Sequence, residues 1–91
     1  MTLPLCRILE IFDIKAAWIR KHRDVSDLGF EKRKRPDGGY RTFYDYHKCL
    51  EYIQKARPEK SVRIPNDVLD VISRCHVADI RKIMKWAGVT K

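Results

Sequence analysis

The chain is 91 residues long and carries 20 Lys and Arg against 12 Asp and Glu, a net charge of +8. That length holds one small domain, residues 1–91, with a modest core and no room for an enzyme cleft between lobes. At 44% hydrophobic and 35% charged it reads as globular; no apolar run approaches the roughly 20 residues that cross a bilayer, and the cation excess favours a polyanionic partner.

The first helix is expected to begin with Pro4 in its first turn and Thr2 or Leu3 just outside. Leu5, Ile8, Leu9 and Phe12 then recur at helical spacing. Asp13 and Ile14 make a short turn whose carboxylate can cap a second helix from about Lys15 to Arg23. Lys15, Ala16, Arg20 and Arg23 are candidates for its exposed face. Ile14, Trp18 and Ile19 are shared between core and surface, and periodicity alone does not rank Trp18 against Ile19. Ser26, Asp27 and Gly29 end the pattern.

Residues 31–43 read as a basic β-hairpin. Lys32, Arg33, Lys34 and Arg35 precede Pro36, Asp37, Gly38 and Gly39, residues that tolerate the backbone angles of a tight turn, and Tyr40, Thr42, Phe43 and Tyr44 suit a half-buried strand. Lys32 and Lys34 should leave one side of the strand, Arg33 and Arg35 the other. Charge on an edge strand also prevents sheet aggregation, but four cations exceed what that needs. The stretch from Lys32 to Pro36 matches a nuclear-localisation pattern as well.

Asp45 is the expected N-cap of a third helix with Tyr46, Cys49, Leu50 and Ile53 on one stripe, ended by Pro58. Residues 57–61 connect to a short extended segment, Val62 to Ile64, before Pro65, Asn66 and Asp67 start a fourth helix with Val68, Leu69, Val71 and Ile72 as its apolar residues. A fifth runs from about Ala78 to Ala87, using Ile80, Ile83, Met84 and Trp86 or Ala87, with Gly88 at its stop. Residues 62–91 thus form a helical extension that completes the core, or in which Met84, Trp86 and Val89 offer a homodimer or partner surface.

Catalytic and metal chemistry find little support. Cys6, Cys49 and Cys75 are odd in number and widely spaced, so they build no disulfide framework and no zinc pair. Adjacent Cys75 and His76 would diverge by about 100° on a helix, too far for a nucleophile and its base. His22 and His47 are isolated, and Gly38 and Gly39 are turn chemistry rather than a phosphate loop. The expectation is a non-enzyme without cofactor or metal. Free thiols, with an N-terminal segment unlike a secretory signal, point to a reducing compartment: the cytoplasm, in association with the nucleoid, or the nucleus in a eukaryote.

Charge placement narrows the partner. Residues 15–41 hold nine cations against four acids, over half of the net excess. A second helix carrying Lys15, Arg20, Lys21 and Arg23 can enter a DNA major groove, and a hairpin carrying Lys32, Arg33, Lys34, Arg35, Tyr40 and Arg41 can meet phosphates or the narrow minor groove. The competing class is an adaptor or inhibitor docking on an acidic protein; RNA is disfavoured because the aromatics alternate along a strand rather than forming a stacking platform.

The segment from Ile14 to Arg20 resembles the start of the recognition helix in the winged helix-turn-helix domain of MerR regulators and phage excisionases, with Ile19 and Arg20 in place of that family's Leu/Val-Arg pair. Gly39 to Phe43, followed by Leu50 and Ile53, is similar to its wing and next helix. The resemblance covers residues 3–54 and implies an α+β fold, a core role for Ile19, and DNA-backbone contacts for Arg20 and Arg41. Ser26 replaces a frequent glycine, and the segment from Gly39 to Leu50 is one residue shorter than is typical. Small terminase subunits of phages use a similar module, so the resemblance implies binding of double-stranded DNA without choosing between regulator, excisionase-like factor and packaging adaptor.

Overall fold

Five helices and one three-stranded antiparallel sheet make up the described residues, 1–89, of the computed structural model. In chain order these are β1 (Thr2–Pro4), α1 (Leu5–Phe12), α2 (Ala16–Arg23), β2 (Glu31–Lys34), β3 (Tyr40–Asp45), α3 (Tyr46–Ala56), α4 (Asn66–Arg74) and α5 (Ile80–Trp86). Short 3₁₀ turns at Pro58–Lys60 and Val77–Asp79 lead towards α4 and into α5. The fold is α+β, and no helix among the described residues is long and apolar enough to cross a membrane.

The first strand departs from the expected pattern. Thr2 to Pro4 pair with Asp45 to Phe43, so the strand order is β1-β3-β2 and Pro4 closes a strand instead of occupying the first helical turn. Three residues carry no readable alternation, and their pairing depends on a partner about 40 positions away. Leu3 on β1 and Tyr44 on β3 point to the helices and are fully buried.

Asp13 is a second correction. It does not cap α2; it ends α1 in the left-handed region at φ 54°, and its carboxylate pairs with Lys60 at 3.1 Å and Arg81 at 2.8 Å. The hydrogen bond and charge of Lys60, with the charge of Arg81, hold that carboxyl below the ordinary aspartate value. The corner between α1 and α2 is thereby tied to the 3₁₀ turn after α3 and to α5. Arg7 of α1 donates to the Ile72 carbonyl at 2.7 Å, satisfying a group in the last turn of α4.

The α3 stripe forms as expected. Asp45 accepts the Lys48 amide at 3.0 Å, and Tyr46, Cys49, Leu50 and Ile53 are all buried. The Cys49 thiol lies 3.8 Å from the Leu28 carbonyl, and burial pushes its pKa up to about 12.

Residues 62–64 form no sheet ladder, yet they are firmly placed. The Tyr46 hydroxyl donates to the Val62 carbonyl at 2.8 Å and accepts from the Ile64 amide at 2.9 Å, while both flanking side chains are buried. Leu69, Ile72, Ile80 and Met84 continue the same hydrophobic cluster, which also includes Ile8, Phe12 and Ile19. The C-terminal helices therefore complete the core. Met84, a candidate interface residue, is buried; Val89 is half-buried, and only Trp86 of that set stands out at 76% exposure. Val71 lies on the solvent side of α4 and not in the core. Helix five begins two residues later than its apolar spacing suggests because Val77 to Asp79 wind as 3₁₀. Thr90 and Lys91, the end of the expected extension, lie outside the described residues.

Gly29 permits the close approach of the loop after α2 to the sheet. Its φ is +70°, and a Cβ there would sit 2.5 Å from the Asp45 Cβ. Gly29→Ala combines a left-handed backbone with overpacking, so urea denaturation should show a loss of about 2–4 kcal/mol. A chain ending at Arg57 loses Val62, Ile64, Leu69, Ile72, Ile80 and Met84 from the core. Circular dichroism should find it unfolded, since about 57 residues bury too little surface to stand alone; a cooperative melt would contradict the shared core.

Candidate nucleic-acid interface

The exposed stripe of α2 consists of Ala17, Arg20 and Lys21, continued by the C-cap residue Asp24, at three- and four-residue spacing. Lys15 is exposed at the N-cap position. Ala16 and Arg23, expected on that face, are half-buried instead. Ile19 enters the core, and Trp18 lies beside it in an aromatic group with His22 at 4.2 Å and Tyr52 at 5.8 Å between ring centroids. The Tyr52 hydroxyl and His22 Nδ1 are hydrogen-bonded, which gives His22 a structural role.

Arg23 joins the helix to the hairpin. Its guanidinium lies 4.1 Å from the Phe30 ring centroid and donates to the Tyr44 hydroxyl at 3.1 Å. Phe30 stands one residue before β2, and Tyr44 is near the end of β3. One side chain thus bridges the last turn of α2 and the base of the ribbon.

The ribbon turns through Pro36, Asp37 and Gly38. The Arg35 amide donates to the Gly39 carbonyl at 2.7 Å and the Gly38 amide to the Arg35 carbonyl at 3.0 Å. Gly38 supplies a φ of +93°, and the Asp37 carboxylate accepts the Gly39 amide at 3.0 Å. At about 3.4 Å per residue, Tyr40 reaches about 14 Å beyond Tyr44. Every residue from Glu31 to Arg41 is exposed.

Register divides the cations between two faces. Lys32 opposes Thr42 and Lys34 opposes Tyr40, so these four share the face of buried Tyr44, the side on which α2 and the core lie. The Lys32 ammonium is 5.6 Å from the Tyr40 ring centroid. Arg33 opposes Arg41 and Glu31 opposes Phe43 on the outer face, which no helix covers: none of its residues is buried. Glu31 accepts from Arg33 Nε at 2.9 Å, a hydrogen bond that holds its carboxyl below the ordinary glutamate value. Asp37 pairs with Arg35 at 3.4 Å. Lys15, Arg20, Lys21, Lys32, Lys34 and Arg41 have no carboxylate within 4.0 Å among the described residues.

Folding adds cations that sequence spacing does not associate with α2. Arg57 and Lys60, from the end of α3 and the following 3₁₀ turn, line a concavity of about 400 Å³ together with Lys15, Trp18 and Lys21. The Arg57 guanidinium lies 6.0 Å from the Trp18 ring centroid. About 40 residues separate the two groups, so only tertiary structure brings them together; Asp13 lines the same cleft and pairs with Lys60, and Glu59 pairs with Arg57. Cys75 and His76 lie beyond the last residue of α4, and the three cysteines remain free thiols. Comparison with protein-family models, curated proteins and solved structures finds no match to this chain.

Removing the Arg23 bridge should loosen the hairpin base while leaving the α2 core contact at Ile19 intact. Arg23→Ala forfeits a ring stack and a hydrogen bond to a buried hydroxyl, and the urea midpoint should fall by the equivalent of about 1–2 kcal/mol at unchanged slope. An unaltered midpoint would show that the bridge does not hold the two elements together.

Proposed function

We propose that this chain binds double-stranded DNA as a small winged helix-turn-helix protein, with α2 in the major groove and the β2–β3 ribbon as its wing. The observation that carries the reading is the Arg23 bridge, because it fixes one basic element against the other. Two rigidly related cationic elements meet a duplex with less ordering penalty than two mobile ones. The contacting surface is Lys15, Arg20 and Lys21 on α2, together with Lys32, Lys34 and Tyr40 on the ribbon face directed to the same side. Arg57, paired with Glu59, and Lys60, paired with Asp13, border it at the entry of α2. Arg20 and the lysines suit phosphates, and Arg20 can also pair bidentately with guanine. A regulator, an excisionase-like factor or a packaging adaptor each needs such a surface.

Mobility shifts with duplex DNA, single-stranded RNA and an acidic protein surface, each across a salt series, test the reading. The wild-type chain should prefer duplex. Lys32→Ala/Lys34→Ala should weaken binding to all duplex sequences and reduce the salt slope by about 0.9 for each phosphate that is no longer neutralised. An unchanged slope removes the ribbon from the interface. Preference for the acidic protein over duplex at matched salt would favour the adaptor reading instead.

A further inference from the structure

The outer face of the ribbon presents a second basic surface on the side away from α2. Arg33 and Arg41 are directly opposed across the β2–β3 ladder, and both guanidiniums lie over Phe43, at 4.2 and 5.7 Å from its ring centroid. With Arg35 and Pro36 these residues line an open concavity of about 610 Å³, which Lys34, directed to the other face, also borders. Like charges placed directly opposite one another weaken a sheet. Glu31 answers Arg33 and Asp37 answers Arg35, while Arg41 has no carboxylate partner among the described residues. The fold thus maintains an opposed arginine pair with incomplete compensation, and an anion seated between the guanidiniums removes the repulsion. Phe43 supports the Arg33 plane from beneath, which orders the guanidinium before any ligand arrives.

We infer that this outer face binds the phosphodiester backbone of a second DNA duplex, so that one chain bridges two duplexes. The inference rests on the duplex-binding reading for the α2 side. A single minor groove does not serve both ribbon faces. Side chains leave the two faces in opposite directions, and a ribbon with long side chains on both is about 10 Å thick or more, against a minor groove about 6 Å wide. The major groove, about 12 Å wide, admits one helix and is taken by α2 in that reading. The outer arginines are therefore left for a different backbone.

The test is capture of a second nucleic acid. An immobilised duplex is saturated with full-length protein and washed, and a labelled duplex or a labelled single strand is then added; the two arms distinguish a paired from an unpaired source of the phosphodiester. Wild-type protein should retain the labelled duplex; retention of the single strand alone would overturn the inference. Arg33→Gln/Arg41→Gln, at a concentration that saturates the first duplex, should retain roughly tenfold less. Native circular dichroism and first-duplex saturation verify that the variant is folded; if it is not, Arg41→Gln alone, which leaves the Glu31–Arg33 pair in place, supplies the comparison. Duplex binding without capture, or equal capture by wild type and variant as bridging through a protein dimer would give, overturns the inference and leaves the α2 surface standing. Failure to bind the first duplex overturns both.

Discussion

At residues 44–46 a strand becomes a helix without an intervening loop, and most of the remaining structure is referred to that junction. Tyr44 points inward from the strand and Tyr46 inward from the helix, both buried to within 1% of full coverage. Asp45 between them donates its amide to the Leu28 carbonyl at 3.0 Å and accepts the Lys48 amide on its carboxylate, ending β3 and starting α3 in one residue. The two phenols then reach in separate directions. Tyr44 receives the Arg23 guanidinium and thereby α2; Tyr46 holds the Val62 carbonyl and the Ile64 amide of the segment leading into α4. A buried hydroxyl without a partner is expensive, so each ring specifies its neighbour as much as it fills space. Burial also raises the Tyr46 pKa, which keeps the phenol protonated and able to donate to Val62.

The basic surface is organised from the same junction. The alternation that buries Tyr44 also sends Thr42, Tyr40, Lys32 and Lys34 to the side of α2, and Phe43, Arg41 and Arg33 to the other. A single run of four cations is thereby divided into a lysine face and an arginine face of different chemistry. Lysine ammonium groups are mobile point charges; the arginines are planar and ordered by Phe43 and Glu31.

Sequence is legible here where one element contains its own instructions. The turn at Pro36 to Gly39, the Asp45 cap, the α3 stripe and the alternation of Lys32 to Arg35 all rest on neighbours within a few residues. Elements defined by distant partners are not legible in the same way. The Thr2–Pro4 strand exists because β3 offers it an edge, and Asp13 adopts its left-handed conformation beside cations from residues 60 and 81. Trp18 and Ile19 both fit an apolar arc, and only Tyr52 and His22 show which side the indole takes. Arg23 looks like a free cation by its spacing, since nothing nearby in sequence announces that Phe30 and Tyr44 meet its guanidinium. Arg57 and Lys60 escape a spacing-based candidate surface for the same reason. Met84 errs in the opposite sense, its helix being too short for periodicity to separate core from rim.

The two strand pairings of the sheet also differ in the loop each must close. The β2–β3 ribbon closes through the five residues between Lys34 and Tyr40, a local step on the order of microseconds. Docking of Thr2 to Pro4 against Phe43 to Asp45 closes a loop of about 40 residues and carries a larger entropic penalty. The ribbon can therefore form early and wait for its third strand, while β1, only three residues long, is the strand most easily detached. Until Leu3 docks beside Tyr44, one edge of the strand that anchors the core stands open to water, and the pairing that closes the longest loop is the one between the two ends of the sheet's sequence.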